Sequence, residues 1–393
     1  MSCRFKQGRI VIKQFSASNL NISIVTQESI YEGELCEIVI FGTGETAIQF
    51  YQYIVMNCPK IKVLYFIDSK KEESIKINET EYQVCSPKSV QNNSESWVVI
   101  CTVFWDEVIE AWQAALSGSK IAILSNRFLH EINELSRLGN FKVSSEVELM
   151  NAASLIQRNC VTSRHVEIHK TIINLRKNGN EIDFFTNVIN LRKEKEIKDK
   201  FSSFNESEYD LIIEGGTFDG AEVSKLLQLC SKQGKVHSFD LTDRFVRQKN
   251  MNLFSNKSWH FHQMALSQTR GRFKVNDAIS AGSFFAFAPE SPSDFSSSQN
   301  LDVEGVALDD FFRDVQGKRL LIKLDLEGAE QEVIAGAHEL VNRNKVDWIV
   351  AIYHKNLDSI QIPRMLLDFK QDYRFKFHLG TATFIDFNLI AIT

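Results

Sequence analysis

A glycine-rich turn and an acidic residue lie at the ends of two consecutive predicted strands in the second half of the chain. The first strand leads into Glu214-x-Gly216-x-x-x-Gly220, where glycine lets the backbone approach a ligand closely. Asp240 ends the next strand, where a carboxylate can accept hydrogen bonds from both ribose hydroxyls of a nucleoside. The alternative is an ordinary turn followed by an acid at a strand end. The residues predicted to bind a cofactor here are Glu214, Gly216, Thr217, Phe218, Gly220 and Asp240.

The position of Glu214 distinguishes between two classes of nucleoside cofactor. Dehydrogenases also place an acid at the ribose, but their usual G-x-G-x-x-G turn holds a pyrophosphate at a helix N-terminus. Glu214 would repel a pyrophosphate and would favour a ligand that carries an amino group. S-adenosylmethionine has an amino group and a cationic sulfonium. The sequence therefore favours S-adenosylmethionine over NAD.

Further acids cluster after the next strands of the same unit. Asp325, Glu327 and Glu330 follow the predicted fourth strand, and His354 follows the fifth. A parallel sheet opens its ligand cleft at this edge. S-adenosylmethionine donates a methyl group, and its transfer requires an acceptor atom in line with the methyl. If the acceptor is a hydroxyl, a proton acceptor is also needed, which His354 or Asp325 could be. Asp325 and Glu327 could also hold Mg²⁺. Glu330 could instead favour a helix dipole, and Lys323 could be a structural ion partner.

Alternating strands and helices must position these residues. A helix is predicted through Val223 and Cys230, closed by Gly234, and the Pro- and Ser-rich segment Pro289–Ser298 is predicted to be a loop. The pattern indicates a parallel sheet with helices on its faces and a terminal antiparallel hairpin. The predicted strands are Leu211–Ile213, Lys235–Phe239, His260–Met264, Phe284–Ala288, Leu320–Leu324, Trp348–Ile352, Tyr373–Leu379 and Phe384–Ile392.

A second strand–turn–helix pattern lies near the start of the chain. Gly42-x-Gly44-x-x-Ala47 follows a strand, and Asp68 ends the next one, which is typical of a mononucleotide-binding half. A full dinucleotide fold needs two such halves, and this region has room for one. It could bind a nucleotide, NAD or a nucleotide sugar. Alternatively, it could be a scaffold or homodimer module in which the glycine turn serves packing.

Composition limits the classes of function. The 393 residues contain 45 Lys and Arg against 50 Asp and Glu, a net charge of −5, which argues against a nucleic-acid partner. Seven cysteines without a C-x-x-C pair indicate a reducing compartment. No secretory signal and no apolar run long enough to span a membrane is evident. These features predict a soluble, cytoplasmic protein.

One segment resembles a known family. Lys323-x-Asp325-x-Glu327-Gly328-Ala329-Glu330 is similar to the signature of the FkbM family of S-adenosylmethionine-dependent methyltransferases. The turn that begins at Glu214 resembles the cofactor motif of that family, although Asp is common at its first position. Further matches over about residues 208–393 are Phe239-Asp240, Met264-Ala265-Leu266-Ser267, Leu308-Asp309-Asp310-Phe311, Tyr353-His354-Lys355 and the region of His378.

This resemblance implies a fold, an activity and further site residues. It implies O-methylation, often of sugars in polysaccharide or secondary-metabolite pathways, with a small molecule or a glycan as substrate. Ala265 would lie beside the adenine, and Asp325 would also bind the cofactor. Glu327, Lys355 and His378 would contact substrate, although Phe377 and Leu379 replace residues of the family pattern around His378. The region before it is similar to small Rossmann-like domains that precede methyltransferases and acyltransferases of sugar pathways.

We therefore predict an α/β protein with two doubly wound Rossmann-like units. The C-terminal unit is expected to be a class I methyltransferase sheet with a terminal antiparallel hairpin. The predicted division is an N-terminal extension at residues 1–35, a small Rossmann-like domain at 36–128, a helical connector at 129–204 and a methyltransferase domain at 205–393.

Overall fold

The structure is a computed structural model in which the chain forms two compact units. The first contains Met1–Val143, Asn174–Lys193 and Thr381–Ile385, and the second contains Ser144–Ile173, Glu194–Gly380 and Asp386–Thr393. The helical segment predicted at 129–204 is thus divided between both units. The predicted strand Phe284–Ala288 and the predicted loop Pro289–Ser298 lie outside the described residues. The structure describes residues 14–17, 20–26, 30, 35–70, 73–77, 79–89, 96–132, 148–206, 208–276 and 300–393.

The first unit is built on a mostly parallel sheet. Its strands are β1 (Gln14–Ala17), β2 (Leu20–Val25), β3 (Glu37–Phe41), β4 (Lys62–Ile67), β5 (Ile75–Ile77), β6 (Thr80–Tyr82), β7 (Val84–Cys85), β8 (Trp97–Ile100) and β9 (Lys120–Leu124). Seven of them form one sheet in the order β1-β2-β9-β8-β3-β4-β7, and only β1 pairs antiparallel with its neighbour. β1 and β2 come from the predicted N-terminal extension, which therefore enlarges this sheet.

Helices cover this sheet because their apolar residues recur on one face. They are α1 (Glu45–Asn57), α2 (Trp105–Leu116) and α3 (Asn126–Ile132). Phe50 of α1 packs edge-on against Phe128 of α3 with ring centroids 6.0 Å apart. Both rings belong to a core that includes Ile40 of β3 and Phe66 of β4. Alternating strands and helices around this core confirm the predicted Rossmann-like unit.

The second unit contains the methyltransferase-like sheet. Its strands are β10 (Tyr209–Gly215), β11 (Cys230–Asp240), β12 (Trp259–Gln263), β13 (Ala265–Leu266), β14 (Gly271–Asn276), β15 (Asn300–Val306), β16 (Arg319–Leu324), β17 (Lys345–Ala351), β18 (Arg374–Leu379) and β19 (Phe387–Ile392). The main sheet has the order β12-β11-β10-β16-β17-β19-β18. Its first five strands are parallel, and β19 is antiparallel to both neighbours, which confirms the terminal hairpin. A separate small sheet, β13-β15-β14, was not predicted.

The remaining helices connect or flank the strands. These helices are α4 (Glu148–Arg158), α5 (Ser163–Asn178), α6 (Glu181–Leu191), α7 (Lys195–Lys198), α8 (Val223–Leu229), α9 (Arg244–Asn250), α10 (Leu308–Phe311), α11 (Glu330–Ala335), α12 (His338–Arg343) and α13 (Asp358–Phe369). Among the described residues, no helix combines the length and apolar character that crossing a membrane requires.

One predicted helix boundary is wrong. The helix was expected to include Cys230 and to close at Gly234, but α8 ends at Leu229 and Cys230 already pairs with Tyr209 in the sheet. Gly234 lies inside β11, where a Cβ atom would come within 2.5 Å of the Tyr209 carbonyl oxygen. The glycine therefore permits a close strand contact and does not terminate the helix.

A buried histidine compensates for a proline within α13. Pro363 lacks an N–H group, so the carbonyl of Ser359 loses its usual donor four residues later in the helix. His169 Nε2 donates to that carbonyl at 3.1 Å, and its ring stacks on Phe377 with centroids 4.8 Å apart. Burial lowers the pKa of His169 to about 4, although the bond to Ser359 acts in the opposite direction. The neutral ring is therefore part of the folded structure.

Replacement of His169 should reduce the acid sensitivity of this unit. Between about pH 6.5 and pH 4 the imidazole of His169 binds a proton in the unfolded chain but not in the folded chain, so the stability of the fold decreases as the pH falls. When the pH is lowered from 8 to 5, the free energy of unfolding should fall by about 2 kcal/mol because of this histidine. His169→Gln should remove that part of the pH dependence in urea titrations, whereas His338→Gln, at an exposed position, should leave it unchanged. Equal pH dependence in the wild type and His169→Gln would contradict the assignment.

Candidate active site

The glycine turn after β10 is held against the segment that follows β16. Gly216 adopts φ +81°, a conformation that L side chains rarely adopt. A Cβ atom at this position would collide with the carbonyl oxygen of Asp325, so the site requires glycine for two independent reasons. Phe218, in the same turn, also has a positive φ of 50° and leaves its ring partly exposed. The turn is therefore fixed in shape, and Asp325 lies directly beside it.

Asp240 joins the end of β11 to this turn. Its Oδ2 accepts a hydrogen bond from the Phe218 backbone N–H at 2.7 Å, and its Oδ1 accepts one from Leu241 N–H at 2.7 Å. Burial raises the pKa of Asp240, while the backbone donors act in the opposite direction. The two elements that the sequence predicted to act together are thus in direct contact.

Glu214 lies in a buried network of charged groups. Its side chain is 1% exposed, accepts from Ser238 Oγ at 2.6 Å, and lies 3.3 Å from Lys323 Nζ. Lys323 also pairs with Glu222 at 2.9 Å, and Glu222 in turn pairs with Lys200 at 2.7 Å. The network involves both the first glycine-turn residue and the lysine of the Lys323-x-Asp325-x-Glu327 motif.

Opposing effects set the pKa values in this network. Burial alone would lower the pKa of Lys323, but Glu222 and Glu214 outweigh it and hold the pKa well above its usual range. Burial would raise the pKa of Glu222, but Lys323 and Lys200 lower it to about 2. Lys323 and Glu222 therefore remain charged near neutral pH, and Lys323 acts as the structural ion partner that is one of its predicted roles.

A second cluster surrounds His354 after β17. We call Asp325, Glu327 and His354 the acid–histidine cluster. His354 is fully buried, and its Nε2 lies 3.2 Å from Glu327 Oε2 and 3.5 Å from Asp325 Oδ1. Its Nδ1 donates to Glu330 Oε1 at 2.8 Å. The structure thus brings together residues that the sequence separates by almost thirty positions.

Local backbone geometry positions the acids of this cluster. Glu327 is a non-glycine residue at φ +51°, and the following Gly328 has φ +105°, so the chain turns sharply between β16 and α11. Glu330 Oε1 accepts from the backbone N–H of Leu326 at 2.7 Å, which holds this turn together. Tyr353 donates its hydroxyl to Asp325 Oδ1 at 3.3 Å. Neither Glu330 nor Tyr353 was predicted to have these roles.

The electrostatics of the acid–histidine cluster are dominated by carboxylates. Burial would lower the pKa of His354, but Glu330 and Glu327 outweigh it and hold the pKa well above its usual range. Burial raises the pKa of Asp325, and Glu327 adds to that effect. Perturbed groups of this kind gather at functional sites, although structural ion pairs can also produce them. This arrangement can bind a cation or take up a proton.

The remaining predicted site residues lie in different surroundings. Thr217 is buried, and its Oγ1 makes no hydrogen bond to the described residues. Ala265 is buried in β13, where it pairs with Gly305 of β15. Lys355 Nζ lies 3.3 Å from Glu332 Oε1. His378 is buried in β18, and its Nε2 donates to the Lys198 carbonyl at 2.7 Å, outside the acid–histidine cluster.

The first unit keeps its own strand-end acid next to its glycine turn. Thr43 Oγ1 donates to Asp68 Oδ2 at 2.5 Å, and Asp68 Oδ1 accepts from Lys70 N–H at 2.8 Å. Gly42 has φ +122°, and a Cβ atom there would approach the Cys101 carbonyl oxygen at 3.2 Å. The predicted turn and acid are therefore in contact in this unit as well.

Comparison with known proteins agrees with this geometry. Residues 214–377 match the family model described as the methyltransferase FkbM domain, which confirms the family resemblance and the methyltransferase class. The crystal structure of methyltransferase FkbM from Methylobacillus flagellatus KT has a TM-score of 0.53 and 12% identity, covering 93% of this chain and 92% of its own. At that identity it supports the fold alone.

Two further structures are more distant. The fibrillarin/Nop5p complex has a TM-score of 0.26 with 10% identity over 47% of this chain and 72% of its own. The 23S rRNA methyltransferase ErmE has a TM-score of 0.26 with 8% identity over 51% of this chain and 68% of its own. These scores are too low to support an argument. Among curated proteins, none matches the sequence.

Proposed function

We propose that the FkbM methyltransferase domain at residues 214–377 uses S-adenosylmethionine to methylate a hydroxyl group of a sugar, a glycan precursor or a related metabolite. The observation that carries the proposal is the contact between Asp240 and the glycine turn. A carboxylate at the end of β11 lies 2.7 Å from the backbone of Phe218, beside the end of β10. This edge is where a parallel sheet binds its ligand.

The cofactor would lie along this edge of the sheet. Asp240 would accept hydrogen bonds from the ribose hydroxyls, with the backbone of Gly216 close to the ligand and Ala265 on the adenine side. The buried, unbonded hydroxyl of Thr217 supports the same location, because a buried polar group normally has a partner. Acids around the turn favour a cationic sulfonium over an anionic dinucleotide. Glu214 is engaged by Lys323 and Ser238, so we assign it to shaping the turn.

The reaction requires a proton acceptor near the methyl group. The substrate oxygen attacks the methyl carbon, the carbon–sulfur bond breaks to leave S-adenosylhomocysteine, and the hydroxyl proton is transferred to a base. We propose Asp325 as that base, because its side chain is 28% exposed and adjoins the glycine turn. His354 was the other predicted acceptor, but it is fully buried and both of its ring nitrogens face carboxylates.

The substrate would approach from the side of the acid–histidine cluster. Glu327 and Lys355 are partly exposed there and could hydrogen-bond the hydroxyl groups of a sugar. His378 is buried and bonded to Lys198, so we give it a structural role. Sugars and glycan precursors are proposed because the family resemblance implies them. Buried thiols at Cys58, Cys101 and Cys160 support the predicted cytoplasmic location.

Removal of the Asp240 carboxylate should weaken cofactor binding about 100-fold. The replacement Asp240→Asn loses charge-assisted hydrogen bonds to the ribose, worth about 3 kcal/mol together. Isothermal titration with S-adenosylmethionine measures the change. The matched control is Asp243→Asn, three residues later and paired with Arg247, which should bind like the wild type. If the wild-type protein binds no S-adenosylmethionine, the proposed function fails.

The acceptor itself can be identified by an untargeted search for methylated products. Mass spectrometry of extracted glycans and metabolites, with and without active protein, should reveal a mass increase of one CH₂ group. Proteins or nucleic acids as the only methylated products would overturn the sugar proposal while leaving the methyltransferase class intact.

A second candidate function belongs to the first unit. Contact between Thr43 and Asp68 resembles the arrangement of a strand-end acid in a nucleotide-binding half, which favours a nucleotide, NAD or nucleotide-sugar site there. Thermal-shift measurements with NAD(H) and nucleotide sugars test it, and a flat response would leave a packing role for the turn. A homodimer formed through this unit stays a prediction.

A further inference from the structure

We propose that Asp325, Glu327 and His354 bind one divalent transition-metal ion, and that Glu330 holds the imidazole of His354 in position. The proposal deepens the proposed function. It rests on that function for the reaction in which the metal would act, but metal binding itself does not depend on it. It extends the predicted Mg²⁺ site of Asp325 and Glu327 by a third, nitrogen ligand, which changes the class of metal.

Distances in the acid–histidine cluster fit ligands of a single ion. Two ligand atoms that each lie about 2.1 Å from one metal are about 3.0–3.4 Å apart at angles of 90–109°. His354 Nε2 lies 3.2 Å from Glu327 Oε2 and 3.5 Å from Asp325 Oδ1. One donor atom from each of the three residues falls within 4.8 Å of the others. Small side-chain movements would complete the coordination.

The orientation of His354 is an independent indication of a ligand. Its side chain is fully buried, yet Nε2 makes no hydrogen bond of acceptable geometry within the described residues. Oε2 of Glu327 is likewise buried without a hydrogen bond to any described residue. Buried polar atoms are rarely left without partners, because the loss of water costs free energy. The two atoms lie 3.2 Å apart as an ion pair without a well-directed hydrogen bond, and a shared metal ion would give each of them a direct bond.

Glu330 provides the support that a metal-binding histidine normally has. Metal ligands of this type usually donate their second ring N–H to a carboxylate, which fixes the tautomer and the orientation of the ring. His354 Nδ1 donates to Glu330 Oε1 at 2.8 Å, and the same oxygen accepts from Leu326 N–H at 2.7 Å. Nε2 is therefore directed towards Asp325 and Glu327, and a bound metal would replace its proton.

The ligand set indicates which metals should bind. Mg²⁺ and Ca²⁺ prefer oxygen ligands alone, whereas one imidazole with two carboxylates suits Mn²⁺, Fe²⁺, Co²⁺ or Zn²⁺. Carboxylates of Asp325, Glu327 and Glu330 surround a single imidazole, and Lys323 is already shared by Glu214 and Glu222. A dication would offset this excess of negative charge. We therefore expect Mn²⁺ or Zn²⁺ to bind at least tenfold more tightly than Mg²⁺.

Titration of the metal-free full chain tests the proposal without any methyl acceptor. Protein treated with EDTA should bind one Mn²⁺ per chain, measured by the loss of the free Mn²⁺ spin-resonance signal. Spin-echo spectra of the bound Mn²⁺ should show nitrogen coupling from His354. The replacement His354→Gln should abolish that coupling and weaken binding at least tenfold, and Glu330→Gln should weaken it about 10–100-fold.

A matched variant separates the cluster from general surface charge. Glu332→Gln removes a nearby carboxylate that pairs with Lys355, and it should bind Mn²⁺ like the wild type. If His354→Gln does not fold, the nitrogen coupling of the wild type decides the question alone. Wild-type protein that binds S-adenosylmethionine but no metal would overturn this inference and leave the proposed function standing. Binding of Mn²⁺ without nitrogen coupling would also overturn it.

Discussion

Asp325→Asn should lower the rate of methyl transfer by about 10²–10⁴-fold, the usual contribution of a positioned general base. Asparagine keeps the size of the side chain but cannot accept the hydroxyl proton. Asp325 Oδ1 contacts Tyr353 and His354, which leaves Oδ2 to take that proton. The affinity for S-adenosylmethionine should change much less than the rate, because Asp240 is the proposed ribose ligand.

Single-turnover methylation of the isolated acceptor measures this effect, and calorimetry gives the cofactor affinity of the same variant. Asp372→Asn is the control, since it removes a carboxylate from an exposed position of the same unit and should keep the wild-type rate. A rate for Asp325→Asn within tenfold of the wild type would exclude Asp325 as the base. Equal losses of rate and cofactor affinity would assign it to cofactor binding.

Much of the fold follows from local patterns. Strands β10, β16 and β17 contain apolar runs, and charged or polar residues follow these runs, so both the existence of the strands and their approximate ends could be predicted. The proximity of the glycine turn and Asp240 could also be predicted, because successive parallel strands bring their carboxyl ends to one edge of the sheet. Failures occur where long-range pairing decides, as at Cys230, which joins β11 because Tyr209 lies opposite.

The contacts within the candidate active site could not be predicted from the spacing of residues in the sequence. Gly216 can be predicted as a turn residue, but its contact with the Asp325 carbonyl depends on how β10 and β16 pair. Spacing alone places Glu330 near a helix start, whereas the structure shows it bonded to His354. Glu222 and Lys200 belong to no motif in the sequence. Their role becomes evident only in the structure, where Glu222 pairs with both Lys200 and the buried amine of Lys323.

Lys323→Met should destabilise the second unit by about 3–5 kcal/mol, the usual cost of removing one partner from a buried ion pair. The Lys323 side chain is 4% exposed and lies between Glu214 and Glu222. Methionine has a similar volume, so packing should change little. The carboxylate of Glu214, which is 1% exposed, would remain in the interior without its cation, whereas Glu222 would keep Lys200. The unpaired charge of Glu214 causes the loss. Urea titration followed by circular dichroism measures it.

Two further variants separate the ion pair from cofactor binding. Lys345→Met changes an exposed lysine on the adjacent strand and should cost less than about 1 kcal/mol. Glu214→Gln, combined with Lys323→Met, should restore part of the stability, because it removes the unpaired charge. Alone, Glu214→Gln should leave the affinity for S-adenosylmethionine within about threefold of the wild type. A much larger loss of affinity would instead mean that Glu214 contacts the amino group of the cofactor directly. Its bonds to Lys323 and Ser238 would then not be its main role.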